Sequence, residues 1–297
     1  MRTTQWGSET VRKTAALVVV LGCIISRDIS AQCFVSKTSN EAKLLAFYSA
    51  PLAFSPASAP EYALPWTIRI GGEAGPVPKP DPAIQQSSAC HTKKSENTGL
   101  SPFFGRPRLT LTLPAGFAIE GSYLPPIEIH DAEPNLGSAA LSWMRRIRMA
   151  PTGNATAIML RLHGTVGHVR GPITCPRKGL QQTDPLGSCF GTQPSVDTFK
   201  PTMFGTEAIL STAAWDGRLA FYAGAGENFL RPRFQVGFTD SFGNTDSTLI
   251  VVNLNRMTMF AGVTAEISNA IDLSAQAYGV REDGVTFRFG GGYRLHR

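Results

Sequence analysis

Apolar and polar residues alternate with a period of two through most of the chain after residue 65. The last segment shows this best: from Val285 to Leu295 every second residue is apolar or glycine, and the residues between are threonine, arginine or glycine. Successive side chains of a β-strand point to opposite faces, so the pattern predicts strands with one apolar and one polar face. The candidate strands lie near 65–72, 109–113, 117–123, 138–148, 156–169, 202–213, 218–226, 231–240, 248–255, 257–267, 271–278 and 285–295.

The last two candidate strands read as a β-hairpin, because Glu282-Asp-Gly284 offers a three-residue loop with a glycine for a positive φ. A loop at 282–284 places Asp272 opposite Arg294 and Tyr278 opposite Arg288. Pairs of opposite charge, or of a cation and an aromatic ring, are favourable on one face of a sheet. Helical periodicity is confined to a short segment at 41–48.

The first 31 residues have the order of a secretory signal peptide. Arg2, Arg12 and Lys13 precede an apolar run from Ala15 to Ile25, and a polar segment then ends at Ala31. The run is too short to span a bilayer as a helix. The sequence therefore predicts export, with cleavage after Ala31.

Cysteine usage fits an exported protein, because four cysteines remain after Ala31 and an even number favours disulfides. Cys175 and Cys189 bracket one segment rich in proline, glycine and serine and form the best pair. Cys33 and Cys90 are then left to each other. The spacing of cysteine and histidine matches no zinc motif.

Composition excludes several classes of protein. The 297 residues are 42% hydrophobic and 17% charged, so the chain has enough apolar residues for a core. Without residues 1–31 it carries 24 basic and 20 acidic side chains, too small an excess for nucleic-acid binding. No glycine-rich phosphate or dinucleotide loop occurs, and we predict no cofactor.

Period-two alternation occurs in soluble β-sandwiches and in membrane barrels, and the connections favour the barrel. With twelve strands and both termini on one side, the two longest connections, 73–106 and 170–201, fall at the same end, as in bacterial barrels. We therefore predict an all-β, antiparallel up-and-down transmembrane β-barrel of about 10–12 strands over residues 62–297. Residues 32–61 form an N-terminal arm, a linker or a plug, and the sequence does not choose between these. The polar phase of the strands predicts these lumen-facing side chains: Arg108, Glu120, Asp272, Gln276, Tyr278, Arg288 and Arg294.

Catalytic and metal sites have weak signals. The segment from Glu128 to Glu133 contains His130 and Asp131, a composition found in cation sites and in hydrolytic dyads, but no second acidic pair accompanies it. His163 and His168 are five residues apart on a predicted strand and so point to opposite faces. We predict no catalytic residue and no metal site.

Over roughly residues 62–297, the chain resembles small outer-membrane β-barrel proteins of diderm bacteria. The resemblance rests on the export signal, the hairpin spacing and the last strand, in which Phe289 and Tyr293 share the apolar phase. In that family the last strand usually ends in an aromatic residue; here Leu295 holds the final apolar position and His296 and Arg297 follow it.

The resemblance implies residence in the bacterial outer membrane, contact with its lipid and lipopolysaccharide, and insertion by the barrel assembly machinery. The oligomeric state is left open. The function we expect is that of a non-enzymatic barrel, either a narrow pore or a structural or surface protein. The alternatives are a secreted soluble β-protein that binds a ligand or partner and, further, an outer-membrane barrel hydrolase.

Overall fold

A closed antiparallel barrel dominates the computed structural model, which describes residues 32–60, 63–90, 101–149, 155–215 and 217–295. The predicted signal peptide and its cleavage site lie outside the described residues. Within them, ten strands pair around a ring that the pairing of the last barrel strand with the first closes. The barrel strands are β2 (Ile68–Pro76), β3 (Phe103–Thr112), β4 (Phe117–Leu124), β5 (Glu133–Met149), β6 (Ala155–Gly171), β8 (Met203–Ala214), β9 (Leu219–Leu230), β14 (Leu254–Glu266), β15 (Ile271–Val280) and β16 (Gly284–Leu295).

The barrel is inverted relative to a soluble protein, with apolar side chains outside and polar side chains inside. On β16, Phe287 is 55% exposed whereas its neighbour Arg288 is 4% exposed. The same alternation runs along β8, where Phe204 and Leu210 face outward and Glu207 and Ser211 are buried. The predicted strand faces are therefore those of the structure.

Four of the five connections at one end of the ring are longer than any at the other end, so the barrel has two different ends. At the long-loop end the chain crosses between strands through residues 77–102, 125–132, 172–202, 231–253 and 281–283. At the short-turn end it crosses through residues 113–116, 150–154, 215–218 and 267–270.

Two of the predicted strands, 231–240 and 248–255, are not part of the barrel wall. They contribute to a side sheet at the long-loop end, with strands β1 (Gln32–Phe34), β7 (Asp197–Lys200), β10 (Arg233–Gln235) and β13 (Leu249–Val251). In this sheet β1 pairs with β13, β13 with β10, β10 with β7, and β7 with the end of β6. Nearby, β11 (Phe238–Thr239) pairs with β12 (Thr245–Asp246). Removing both candidates from the twelve leaves an even number of wall strands.

The predicted register of the last hairpin is wrong by two residues. Val280 pairs with Gly284, so the loop is 281–283 rather than 282–284, and Gly284 uses its positive φ of 118° as the first residue of β16. Asp272 therefore faces Gly292, and Tyr278 faces Thr286. A shift of two keeps every side chain on its predicted face.

The interactions predicted from that register persist as diagonal contacts. Arg294 lies 3.6 Å from the Asp272 carboxylate, and the Arg288 guanidinium lies 4.4 Å from the centre of the Tyr278 ring. Diagonal neighbours on one face of an antiparallel pair are within reach of long and aromatic side chains.

Two disulfides cross-link segments of the long-loop end. Cys33 of β1 is bonded to Cys90 of the connection 77–102, and Cys175 is bonded to Cys189 within the connection 172–202. The predicted Cys175–Cys189 pair and the leftover Cys33–Cys90 pair are thus both present.

Among the described residues one α-helix is present, α1 (Asn40–Ser49), which lies at the long-loop end and corresponds to the segment predicted at 41–48. A 3-10 helix follows it at Ala50–Leu52. Helix α1 begins at the N-cap Ser39, whose hydroxyl accepts a hydrogen bond from the Ala42 backbone N–H at 3.2 Å. None of the helical residues that the structure describes forms a segment long and apolar enough to cross a membrane.

From α1 the chain runs through the barrel, and we call residues 50–59 the plug. The plug contacts inward-facing side chains of β3, β6, β14, β15 and β16, which lie on opposite sides of the wall. Beyond it, the Trp66 backbone N–H donates to the Thr112 carbonyl at the short-turn end. Gln32 therefore pairs at the long-loop end. The barrel wall itself begins at Ile68 and ends at Leu295, and these two residues pair at the short-turn end, so both ends of the wall lie on one side as expected.

Candidate functional site

Four buried arginines form a layer across the lumen, which we call the arginine layer: Arg106, Arg108, Arg161 and Arg288. They come from β3, β6 and β16, and the period of two turns each of them inward. A charge buried without a partner is very costly, so such a layer requires compensation from the wall or from an occupant of the lumen.

Three glutamates of the wall supply part of that compensation. Glu73 pairs with Arg106 at 2.6 Å and also with Arg108. Glu120 accepts from Arg161 at 2.6 Å and from Arg108 at 3.1 Å. Glu207 pairs with Arg161 at 3.1 Å.

The plug supplies the remaining acceptors through its backbone carbonyls. Arg106 donates to the Ala53 carbonyl at 2.7 Å and to the Leu52 carbonyl at 3.1 Å. Arg108 donates to the Ser55 carbonyl at 2.8 Å, and Arg161 donates to the carbonyl of Phe54.

The hydrogen bonds that the Arg288 guanidinium makes to described residues all go to the plug. Its guanidinium donates to the Ala53 carbonyl at 2.9 Å, to the Ala50 carbonyl at 3.0 Å and to the Ser55 hydroxyl. Arg288 therefore holds the plug without neutralising a wall carboxylate by a direct contact.

The sequence of the segment explains why arginine is the matching wall residue. Pro51 and Pro56 have no backbone N–H, so the plug carries more carbonyl acceptors than N–H donors. A guanidinium has five N–H donors and no acceptor. A proline-containing segment and a layer of arginines therefore satisfy each other's hydrogen bonds where a strand ladder is absent.

Phe54 is the largest side chain of the plug and is fully buried in the arginine layer. Its ring centre lies 4.1 Å from the guanidinium carbon of Arg108, 4.7 Å from that of Arg106 and 5.1 Å from that of Arg161. A ring face attracts cations, and the attraction grows when water is excluded. Phe54 thus fills the space between the arginines and stabilises them.

Contacts continue along the plug towards the short-turn end. Gln276 donates to the Pro56 carbonyl at 3.0 Å and accepts from the Ser55 hydroxyl at 3.0 Å. The Ala59 backbone N–H donates to the Thr264 hydroxyl at 2.7 Å. The plug is therefore held by side chains of several strands along its length.

The side chains predicted to face the lumen fall into two groups. Arg108, Glu120, Gln276 and Arg288, with Tyr278 beneath Arg288, belong to the arginine layer or contact the plug. Asp272 and Arg294 lie nearer the short-turn end, where Asp272 also pairs with Arg69.

Sequence reasoning missed several inward-facing residues of the same network. Arg106 lies two positions before Arg108 on β3 and so shares its face, which is a signal that the alternation already contained. Glu73 lies one residue beyond the predicted strand 65–72, and Arg161 and Glu207 lie within predicted strands whose polar phase was left unassigned.

The other segments considered for chemistry do not form a site. Glu128, His130 and Asp131 are exposed in the connection 125–132. Among the described residues, no group of three His, Cys, Asp or Glu side chains is arranged to hold a metal ion. His163 is buried inside the barrel, with Nε2 3.5 Å from the nearer carboxylate oxygen of Glu207, whereas His168 is half-buried near the long-loop end.

The outer face of the ring decides the class of fold. Large apolar side chains are exposed on neighbouring strands, among them Leu109, Ile119, Leu141, Leu160 and Phe289. A water-soluble protein rarely exposes a continuous apolar surface of this extent, but a lipid-facing barrel wall requires one. This is the architecture of an outer-membrane β-barrel.

Comparisons with known proteins give distant similarities of fold. No family model matches the chain, and no curated protein matches it. Among solved structures it is similar to Ail, the attachment invasion locus protein of Yersinia pestis, at 11% identity and a TM-score of 0.30, covering 78% of this chain and 100% of Ail.

It is also similar to the outer membrane protein Omp33 of Acinetobacter baumannii, at 9% identity and a TM-score of 0.27, covering 79% of this chain and 100% of Omp33. For the transport unit of the autotransporter AIDA-I from Escherichia coli the identity is 9% and the TM-score 0.28, covering 87% of this chain and 99% of that one. The fold assignment rests on the strand pairing and burial described above.

Proposed function

We propose that this protein is a non-enzymatic barrel of the bacterial outer membrane, closed at rest by its own N-terminal segment and active at the cell surface through its long-loop end. The observation that carries the proposal is the plug, whose carbonyls and phenylalanine ring occupy the arginine layer. An open pore needs a continuous water path along the lumen, and the plug lies across that path. The structural or surface role is therefore favoured over a constitutively open pore.

The orientation follows from the two ends of the barrel. Bacterial barrels have short periplasmic turns and longer extracellular loops. The long-loop end, with α1, the side sheet and both disulfides, is therefore the extracellular end. Disulfides are stable in such an oxidising compartment, and the lipid-facing wall would contact membrane lipid and lipopolysaccharide.

Ion conductance across a planar bilayer tests whether the plug closes the barrel. We expect no steady conductance from the wild-type protein and transient openings from Arg288→Gln, because Arg288 holds the plug and has no ion pair with a wall glutamate. The matched control is Arg294→Gln, since Arg294 lies on the same face of β16 but binds the Asn269 carbonyl, Glu266 and Asp272. This control should stay closed.

Two outcomes contradict the proposal. Steady wild-type conductance would show that the plug does not close the lumen, and the protein would then be an open pore. Equal conductance from the two variants would show that openings arise from general loosening of the wall. Heat-modifiable mobility of all three proteins in unboiled gels verifies that each is folded.

A further inference from the structure

A second feature of the lumen lies at the long-loop end, beyond the arginine layer. There a cavity of about 200 Å³ separates α1 and the start of the plug from the ends of the barrel strands. Its walls come from separate parts of the chain, including Leu45 of α1, Phe104 of β3, Leu136 of β5, Phe199 of β7 and Phe234 of β10. The barrel and the side sheet thus enclose it together.

The lining of the cavity is almost entirely apolar. Most of its residues are leucine, isoleucine, valine, phenylalanine or proline, and the polar ones are two serines, a glutamine, a tyrosine and Glu41. An apolar cavity of roughly 150 Å³ can stay dry and bind a molecule such as benzene. The atoms lining an empty void lack packing partners on one side, and native proteins retain few voids larger than a water molecule. An apolar occupant would restore those contacts.

The cavity is held in shape by contacts between α1 and the connection 77–102. Glu41 accepts hydrogen bonds from the Ser87 hydroxyl at 2.6 Å and from the backbone N–H groups of Ser88 and Ala89, each at 2.7 Å. These bonds fix α1 against the connection 77–102, and the Cys33–Cys90 disulfide adds a covalent link to the same connection. Ligand pockets are usually largely preformed in this way.

The charge and the mouth of the cavity restrict the ligand. Glu41 is the one charged residue among the described lining residues, so a negatively charged head group is disfavoured there. Phe103 and Ile129 also line the cavity and are 70% and 51% exposed, so the cavity opens beside them. Phe103 shares the outward phase of β3 with Leu109, which places the mouth next to the lipid-facing wall.

We propose that this cavity, lined by Leu45, Phe104, Leu136, Phe199 and Phe234, binds the hydrocarbon chain of a neutral molecule. The chain enters beside Phe103 and packs between α1 and the barrel strands. The source is either a free neutral amphiphile or a neutral membrane lipid. Both present the same methylene chain to the same walls.

Photolabelling of the full-length protein in phosphatidylcholine nanodiscs tests the proposal. One arm adds a neutral medium-chain alcohol with a diazirine at the chain end, and the other uses phosphatidylcholine with a diazirine at an acyl chain end. After irradiation, we expect mass spectrometry to find label on Leu45 of α1 and Phe104 of β3. The arm that labels these residues identifies the source of the chain.

Two leucine-to-tryptophan variants on β5 separate cavity binding from general contact with lipid. Leu136→Trp fills the cavity and should reduce the label on α1 and β3 about tenfold. Leu141→Trp changes the lipid-facing side of the same strand, where Leu141 is exposed, and should leave that label unchanged.

The proposal is overturned if both probes label outward-facing residues alone, or if Leu136→Trp leaves the label on α1 and β3 intact. Unboiled gel mobility verifies that each variant is folded. If Leu136→Trp fails to fold, Leu44→Trp fills the same cavity from the helix and must give the same loss of label.

Discussion

Individual polar residues fix the irregular segments of this protein, where no strand ladder is available. The arginine layer does so for the plug, and Asp197 does so for the side sheet. Asp197 is fully buried and accepts from the backbone N–H groups of Ile173, Thr174 and Gly237 and from the hydroxyls of Thr174 and Ser195. One carboxylate thus joins the connection 172–202 to the strand region around Gly237.

Asp197→Asn tests this role. It replaces one carboxylate oxygen, which accepts hydrogen bonds, with an NH2 group, which cannot accept them from the surrounding N–H and O–H donors. Hydrogen bonds to a charged group contribute about 1.5–3 kcal/mol. We expect the free energy that holds the connection 172–202 closed to fall by about 2 kcal/mol. The connection would then open up to ~30-fold more often. Trypsin cleavage after Arg177 and Lys178 measures that opening.

The control for this substitution is Asp184→Asn, the same change at an exposed position of the same connection. It should leave the cleavage rate unchanged while the barrel keeps its unboiled mobility in both variants. Equal rates for Asp197→Asn and wild type would show that the carboxylate does not hold the connection.

At the scale of elements, α1 is attached to the first long connection through a buried carboxylate. Burial raises the pKa of Glu41, whereas hydrogen bonds from the Ser87 hydroxyl and from the backbone N–H groups of Ala89 and Cys90 lower it. The lowering prevails, and the pKa of Glu41 is about 2, against its ordinary value of 4.5. A folded pKa below the unfolded one means that ionised Glu41 stabilises the fold fully above about pH 4.5 and loses this effect as the pH falls towards 2.

Hydrogen exchange of α1 measures this dependence. After correction for intrinsic rates, we expect protection to be constant down to about pH 5 and then to fall as Glu41 is protonated. Glu41→Gln should give lower protection with little dependence on pH, and the exposed Glu128→Gln should follow wild type. A wild-type profile that stays flat to about pH 3 would show that Glu41 does not anchor the helix.

The alternation of side chains predicted most of the elements, because it is the direct consequence of a wall with lipid on one side and polar groups on the other. It could not separate wall strands from the side sheet: 231–240 and 248–255 also alternate, since the side sheet has a buried face too. The register of the last hairpin differs from the predicted one because Glu282 and Asp283 suit a loop that begins at either residue 281 or residue 282.

The sequence does not identify residues 50–59 as a plug, because the wall arginines bind this segment through its backbone carbonyls. Every residue has a carbonyl, so an arginine that donates to Ala53 or Ser55 leaves no pattern in the residues of the plug. The surplus of inward arginines over inward glutamates was the available signal. Arg106 shares the phase of Arg108, a predicted lumen residue, and Arg161 lies on the polar phase of its own strand. Together with Arg288, these arginines require acceptors beyond the three wall glutamates.

For the whole molecule, the path of the described chain predicts that Gln32 and Leu295 lie on opposite sides of the membrane. β1 belongs to the long-loop end, and the plug carries the chain through the barrel before β2 begins. Lys37 is therefore expected on the cell surface, and Asn269, in a turn of the short-turn end, is expected in the periplasm. Both side chains are exposed.

Cysteine labelling in intact cells checks this arrangement and the membrane span together. A membrane-impermeant maleimide should label Lys37→Cys in intact cells and Asn269→Cys after the outer membrane is permeabilised. Lys37 and Asn269 lie at opposite ends of the barrel, so a barrel that spans the membrane cannot expose both to the outside. Labelling of both in intact cells would therefore place the barrel outside the bilayer and support a secreted soluble protein. Labelling of Asn269→Cys alone in intact cells would show the opposite orientation, in which the long-loop end faces the periplasm.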